Sequence, residues 1–166
     1  NKSILVLGSG PGINKYKYAI ETYIKNNSPF VIALNPQSNI NHKLINARAA
    51  CHPMRLSVDF HEHLKLPQPL ITPFSMLPKN LKNSLKRKKI MNFGIKITNK
   101  KFRFHKNFCE VPTPLVLAYS ISIANSGKAR EILLVGFDGY SYEDPRHQEI
   151  EKILSVYKNT KNSVSI

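Results

Sequence analysis

The chain has 166 residues, 42% of them hydrophobic and 21% charged, with 25 Lys and Arg against 10 Asp and Glu and a net charge of +15. That length suits one domain, residues 1–166, able to bury a single core, and the apolar share excludes wholesale disorder. No run approaches the ~18 uninterrupted apolar residues of a membrane span, and the charge excess points to polyanions as partners.

"SILVLG", Ser3 to Gly8, is a continuous apolar run, the kind of strand found in parallel sheets covered on both faces. After the glycines, Ile13, Tyr16, Ile20, Tyr23 and Ile24 recur at helical spacing, and "KNNSP" ends that helix. "FVIALN", Phe30 to Asn35, is a second buried strand closed by Pro36. The two strands and their helix have the length of a right-handed β-α-β crossover.

The loop between them, "GSGPG" from Gly8 to Gly12, has the residue type that lets a phosphate approach backbone amides without meeting a Cβ atom. The helix that follows adds its positive N-terminal end. The spacing is not the GxGxxG dinucleotide fingerprint, because a third glycine falls one residue early and Pro11 removes a donor. No GK[ST] follows, so it is not a P-loop, and Asn35 stands where an acidic residue would hold an NAD ribose. Gly8, Ser9, Gly10 and Gly12 are therefore candidates for holding a phosphate, with a ligand-free tight turn as the alternative. Asn35, at a strand end, is a candidate for a ribose hydroxyl or base edge, with a turn before proline as its alternative.

The middle of the chain is less regular. "ARAACH" and "PLITP" read as third and fourth short strands, and "IMNFGIKI" followed by "KKFRFHK" alternates like a hairpin or a mobile basic flap. Between Glu62 and Glu110 there is no acidic residue, while twelve Lys and Arg fall there, most densely from Lys79 to Asn107. Closure of this segment over an anionic ligand is one expectation; a solvated lysine-rich face is the other. Phe93, Phe102, Phe104 and Phe108 are interleaved with the charges as they would be for base stacking, yet no recognised RNA- or DNA-binding motif accompanies them, which argues against nucleic acid. "HEH", His61 to His63, lacks further ligands for a metal and reads as surface histidines. Cys51 and Cys109 form no CxxC pair, and with no export pattern at the start they are expected as free thiols in the cytoplasm.

The end is regular again. "PTPLVLAYSISIANSG", Pro112 to Gly127, is a helix apolar almost all round and hence buried. "EILLVGFDG", Glu131 to Gly139, is a strong strand. Asp144 then serves as N-cap and Pro145 as first residue of a helix with Ile150, Ile153, Leu154 and Tyr157 on one face. Asp138 falls just past the strand between glycines, Tyr140 and Tyr142 follow, and His147 lies in the first turn of the helix. Asp138 and His147 are the candidate acid/base pair, and Tyr140 and Tyr142 candidate phosphate contacts. Asp138 as a cap for turn amides is the alternative. Strands alternating with helices give an α/β fold with a doubly wound, mostly parallel sheet in a three-layer sandwich.

"LVLGSGPGI", then "ALN", then "PTPLVLAYSISIANSGKAREILLVGFDGY" resemble the 6-hydroxymethylpterin pyrophosphokinase-like proteins and the related bacterial sialyltransferase fold. The resemblance covers the two ends of the chain and leaves roughly residues 50 to 110 unmatched. It implies a Rossmann-like domain that binds a cytidine nucleotide, CMP or CDP, through Gly8, Ser9, Gly10 and Asn35, with Tyr140 and Tyr142 facing phosphate. The sialyltransferase loop carries Asn where Ser9 stands, and its catalytic histidine comes later than His147. "FDGYSYEDPRHQEIEKIL" also resembles the tail of bacterial surface-polysaccharide proteins that join such a domain to an HMG-CoA-lyase-type aldolase barrel of the 4-hydroxy-2-oxovalerate aldolase kind. The implied function is a nucleotide- or nucleotide-sugar-binding domain of surface-carbohydrate synthesis, as a glycosyl- or phosphotransferase or as the accessory domain of an aldolase. Its partners would be a phosphorylated small molecule or nucleotide-sugar and an upstream catalytic domain in the same chain. The chain opens on Asn1 rather than Met, as a domain excised from a longer protein would.

Overall fold

The computed structural model describes residues 2–98 and 101–166; Asn1, and Asn99 and Lys100 of the basic stretch, lie outside the described residues. In chain order, β1 (Ile4–Leu7) leads through α1 (Gly12–Lys15) and α2 (Lys17–Asn27) to β2 (Phe30–Leu34). β3 (Ala47–Ala49), α3 (Pro53–Lys65), β4 (Leu70–Thr72), α4 (Lys79–Ser84) and β5 (Ile90–Asn92) follow. Three short strands come next: β6 (Gly94–Ile97), β7 (Arg103–Phe104) and β8 (Phe108–Val111). The chain ends with α5 (Val116–Ser126), β9 (Ile132–Val135) and α6 (Pro145–Lys158).

The larger sheet has the order β5-β4-β3-β2-β1-β9 and every pairing in it is parallel. β1 sits in register with both neighbours, Ile4 opposite Phe30 on one side and Ile132 on the other. Strand order runs outward from β1 to β5 and then reverses, so that β9 lies on the far side of β1. This is an α/β sandwich of Rossmann-like form.

The alternation of side chains explains why the strands read as unbroken apolar runs. Leu5, Leu7, Val31 and Ala33 face Ile13, Ile20 and Ile24 of α1 and α2. Val6, Ile32 and Leu34 face the opposite way, onto Ile121 of α5 and Ile153 and Tyr157 of α6. Both faces are covered, so neither can be polar. Leu56 of α3 and Leu81 of α4 join Leu70 in a third cluster. α5 buries eight of its eleven residues, as its all-round apolarity predicts, and the hydroxyls of Ser120 and Ser122 donate back to the Leu117 and Ala118 carbonyls. The Asp144 cap also forms, accepting from the Arg146 amide at 2.8 Å.

Four expectations are corrected. The helix after the glycine loop breaks at Tyr16, and Tyr16 and Tyr23 are exposed, leaving Ile13, Ile20 and Ile24 as the buried stripe. The middle segment is not a hairpin of residues 90–97 on 101–106. β5 extends the large sheet, whereas β6 pairs with β8 in parallel and β7 with β8 antiparallel, in a second sheet packed on α5. Phe93 and Phe102 are buried, meeting Tyr119 and Tyr157 at ring separations of 5.9 and 5.4 Å, so these two build core rather than a stacking surface, while Phe104 is half-buried and Phe108 is exposed. His63 is buried on the inner side of α3; two residues apart on a helix, it and exposed His61 point to different sides. Among the described residues no helix is long and apolar enough to cross a membrane.

Candidate functional site

In open α/β sheets ligands bind beyond the carboxyl ends of the strands, where strand order reverses, because the two flanking loops diverge there and leave a crevice. Here that place lies between β1 and β9, and it holds a cavity of about 400 Å³. Its floor is the loop after β1 (Gly8, Ser9, Gly10), the residue after β2 (Asn35) and the loop after β9 (Gly136, Phe137). Leu115, Val116 and Leu117 at the start of α5 form an apolar wall. Tyr140, Arg146, Glu149 and Ile150 close the other side.

The polar groups of the cavity cluster on α6 and the loop before it. Arg146 donates from Nε and Nη2 to Asp144 at 3.0 and 2.6 Å, and its guanidinium lies 4.2 Å over the Tyr140 ring. Hydrogen bonds from the Arg146 side chain and amide hold the Asp144 carboxyl below its usual range. Glu149 Oε1 accepts from the Thr113 hydroxyl at 3.1 Å. Arg146, Glu149 and Ile150 share a helix face at spacings of three and four residues, a signal present in the sequence but overlooked beside the apolar stripe.

The glycine loop is built differently from a phosphate cradle. The amides of Gly8 and Gly10 donate to the carbonyls of Val135 and Gly136, both at 2.8 Å, and Gly12 donates to Asp138 Oδ2 at 2.9 Å. The Ile13 amide bonds the Gly10 carbonyl at 3.1 Å, and Pro11 has none. Among the described residues only the Ser9 amide of this loop lacks an acceptor. Glycine is required here by close approach: a Cβ on Gly10 or Gly12 would come under 3.0 Å from the Asp138 carboxylate. That carboxylate occupies the position of an anion at the start of α1. The capping alternative for Asp138 is the geometry observed.

Of the residues singled out from sequence, Gly8, Ser9, Gly10, Asn35 and Tyr140 converge on the cavity. Gly12 and Asp138 bond each other at the exposed surface, outside that lining, and Tyr142 is exposed. His147 Nε2 lies 3.3 Å from Glu151 Oε1 on its own helix, and its ring is 5.0 Å from Tyr142. Among the described residues none of the cavity's lining comes from 79–107. A second hollow of about 100 Å³ lies across the glycine loop, edged by Asn14, Gln37, Ser38 and Asn39.

Arg48 of β3, which nothing in "ARAACH" marked as more than a strand residue, fixes the Asn35 corner. It is fully buried, and donates from Nη1 to the carbonyls of Asn35 and Pro36 at 3.0 and 2.8 Å and from Nε to Gln68 at 3.1 Å. Burial lowers its guanidinium to about 10, still protonated at neutral pH. Asn35 itself has a left-handed backbone, φ +58, which this fork and its amide's bond to the Ala49 carbonyl at 2.9 Å hold in place. Cys51 and Cys109 are buried free thiols, each pushed up to about 12 chiefly by burial, and so stay protonated.

Compared with protein-family profiles, with curated proteins and with solved structures, the chain finds no match.

Proposed function

We propose that this domain binds a nucleotide or nucleotide-sugar in the crevice between the ends of β1 and β9. The observation that carries the proposal is the cavity's place: about 400 Å³ at the reversal of strand order in an all-parallel sheet, within the ~300–1,000 Å³ range of small-molecule sites. The base or another apolar moiety lies against Leu115, Val116 and Phe137. Ribose hydroxyls donate to the Glu149 carboxylate, which retains acceptor capacity beside Thr113, and exchange hydrogen bonds with the Asn35 amide. Phosphates point outward to Arg146, whose Nη1 is not engaged by Asp144. They do not enter the glycine loop, whose amides other than that of Ser9 are engaged internally. The setting in surface-carbohydrate synthesis rests on the family resemblance.

A second reading, a non-catalytic accessory domain of an aldolase, is favoured by one observation. Asp138 caps Gly12 and His147 lies beside Glu151 on its own helix, and neither lines the cavity, so this expected acid/base pair is not assembled there. Both readings share the binding site and differ in turnover.

Thermal denaturation with CMP, CDP, UDP and GDP tests the proposal. A ligand at a hundred times its Kd stabilises by ~2.7 kcal/mol, which for a chain of this size raises Tm by roughly 5–10 °C. Glu149→Gln removes the charge from the ribose acceptor and is expected to weaken binding at least tenfold. Absence of any shift with all four nucleotides at millimolar concentration overturns the reading.

A further inference from the structure

We infer that a groove between β7, the turn after α5 and the C-terminal end of α6 is a second binding site, for a linear anion carrying several phosphates. The groove has a volume of about 1380 Å³ and shares no lining residue with the cavity at the β1 and β9 ends. Lys101, Arg103, Lys106, Lys128 and Lys161 line it together with His105, and among the described residues no Asp or Glu does. Glu110 at the back of β8 lies 3.5 Å from Arg103, part of whose charge it answers, and 3.4 Å from His105. The four lysines are exposed and make no ion pair among the described residues.

Three features select the occupant. The charges come from three separate parts of the chain and meet along one groove, whose volume far exceeds that of a single phosphate, so the matching anion repeats its charge along its length. Four of the five permanent cations are lysines, point charges on flexible stems that can follow phosphates at varying positions without the fixed bidentate geometry of the arginine fork. Of the groove's aromatic rings, Phe102 is buried, half-buried Phe104 stands 5.8 Å from Tyr157 and 6.0 Å from Phe102, and half-buried His105 is stacked on Phe108 at 4.0 Å. Each ring is packed against another, so the groove lacks the series of free faces on which successive bases stack, which favours a simple phosphate chain over single-stranded nucleic acid.

The test uses medium-chain inorganic polyphosphate as the probe, by fluorescence anisotropy across a salt series, with orthophosphate and single-stranded RNA of equal charge as competitors. The groove variant carries Lys101→Gln, Lys106→Gln, Lys161→Gln and Lys128→Asn, the last because Lys128 has φ +56, which asparagine tolerates. A control variant removes the same number of charges around α4, on the opposite side of the large sheet, through Lys79→Gln, Lys86→Gln, Arg87→Gln and Lys89→Gln. The groove variant is expected to lose at least tenfold in polyphosphate affinity and to lower the log–log salt slope by about 3, at ~0.7 per charge on a flexible strand. The control is expected to stay within about threefold of the parent. Equal losses in the two variants would show that net charge alone binds. Preference for RNA at equal charge, orthophosphate competing as well per charge, or no polyphosphate binding by the parent would each overturn the assignment. If the fourfold variant folds poorly, Lys161→Glu alone, an exposed single change, is expected to lower affinity and salt slope in the same direction by less, about 1 in slope at ~0.7 per charge.

Discussion

The contact between Gly12 and Asp138 is open to a double-mutant cycle. The Gly12 amide donates to Asp138 Oδ2 at 2.9 Å across 126 residues of sequence, and it is solvent-exposed. Asp138→Ala removes one charge-assisted bond at the start of a short helix, about 1 kcal/mol within the ~0.5–2 range of helix caps. For a chain of 166 residues that is a fall in Tm of roughly 2–4 °C. Gly12→Ala acts on the same bond from the other side. The glycine does not have positive φ, so alanine is compatible with its backbone, but the new Cβ would come under 3.0 Å from the carboxylate and push it away. The loss is again about 1 kcal/mol, less up to ~1 from alanine's better helix propensity. In the Asp138→Ala background there is no carboxylate to displace, so Gly12→Ala becomes neutral or stabilising. A coupling of about 1 kcal/mol is expected from urea denaturation followed by circular dichroism. Additivity within ~0.3 kcal/mol, the behaviour of independent sites, would refute the assignment of Asp138 as the cap. Nucleotide affinity is expected to be unchanged in Asp138→Asn.

Arg48→Met leaves two carbonyls and the Gln68 and His42 acceptors without their buried donor. It should cost about 2–4 kcal/mol in urea denaturation, because buried acceptors left without a donor each carry a penalty of ~1–3 kcal/mol, partly relieved by relaxation, and a cost under about 1 kcal/mol contradicts that account. His63 is held near pH 4, first by burial and then by the Arg48 and Lys88 charges, against the pull of Asp59. The unfolded chain therefore binds a proton here at higher pH than the folded one. Stability is full above about pH 6.5 and falls as pH drops toward 4, by up to about 3 kcal/mol at ~1.4 kcal/mol per unit. His63→Leu should flatten that part of the stability–pH curve, and an unchanged slope would place the titration elsewhere.

Much of the fold was legible because it is written in local pattern. Leu5 to Leu7, Val31 to Leu34 and Ile132 to Val135 are apolar without alternation, which only a sheet covered on both faces allows, and the large sheet is parallel throughout. The buried α5 and the Asp144 cap followed from composition and from short-range geometry. The convergence of Gly8, Asn35 and Tyr140 was legible too, since strand ends in a parallel sheet must come together on one side. The strands β5 to β8 were not, because each has only two to four residues and its partner is chosen by what Phe93 can bury against α5 and Phe102 against α6. The role of the glycine loop lay equally out of reach. A glycine that admits a ligand and one that admits a neighbouring loop are the same residue, and only the approach of Asp138 from the end of β9 distinguishes them. Arg48 reads as one charge in a run of alanines until folding places the carbonyls of Asn35 and Pro36 around it. Periodicity carries the burial of each residue, whereas a hydrogen bond between distant loops depends on where the whole chain has brought its two ends.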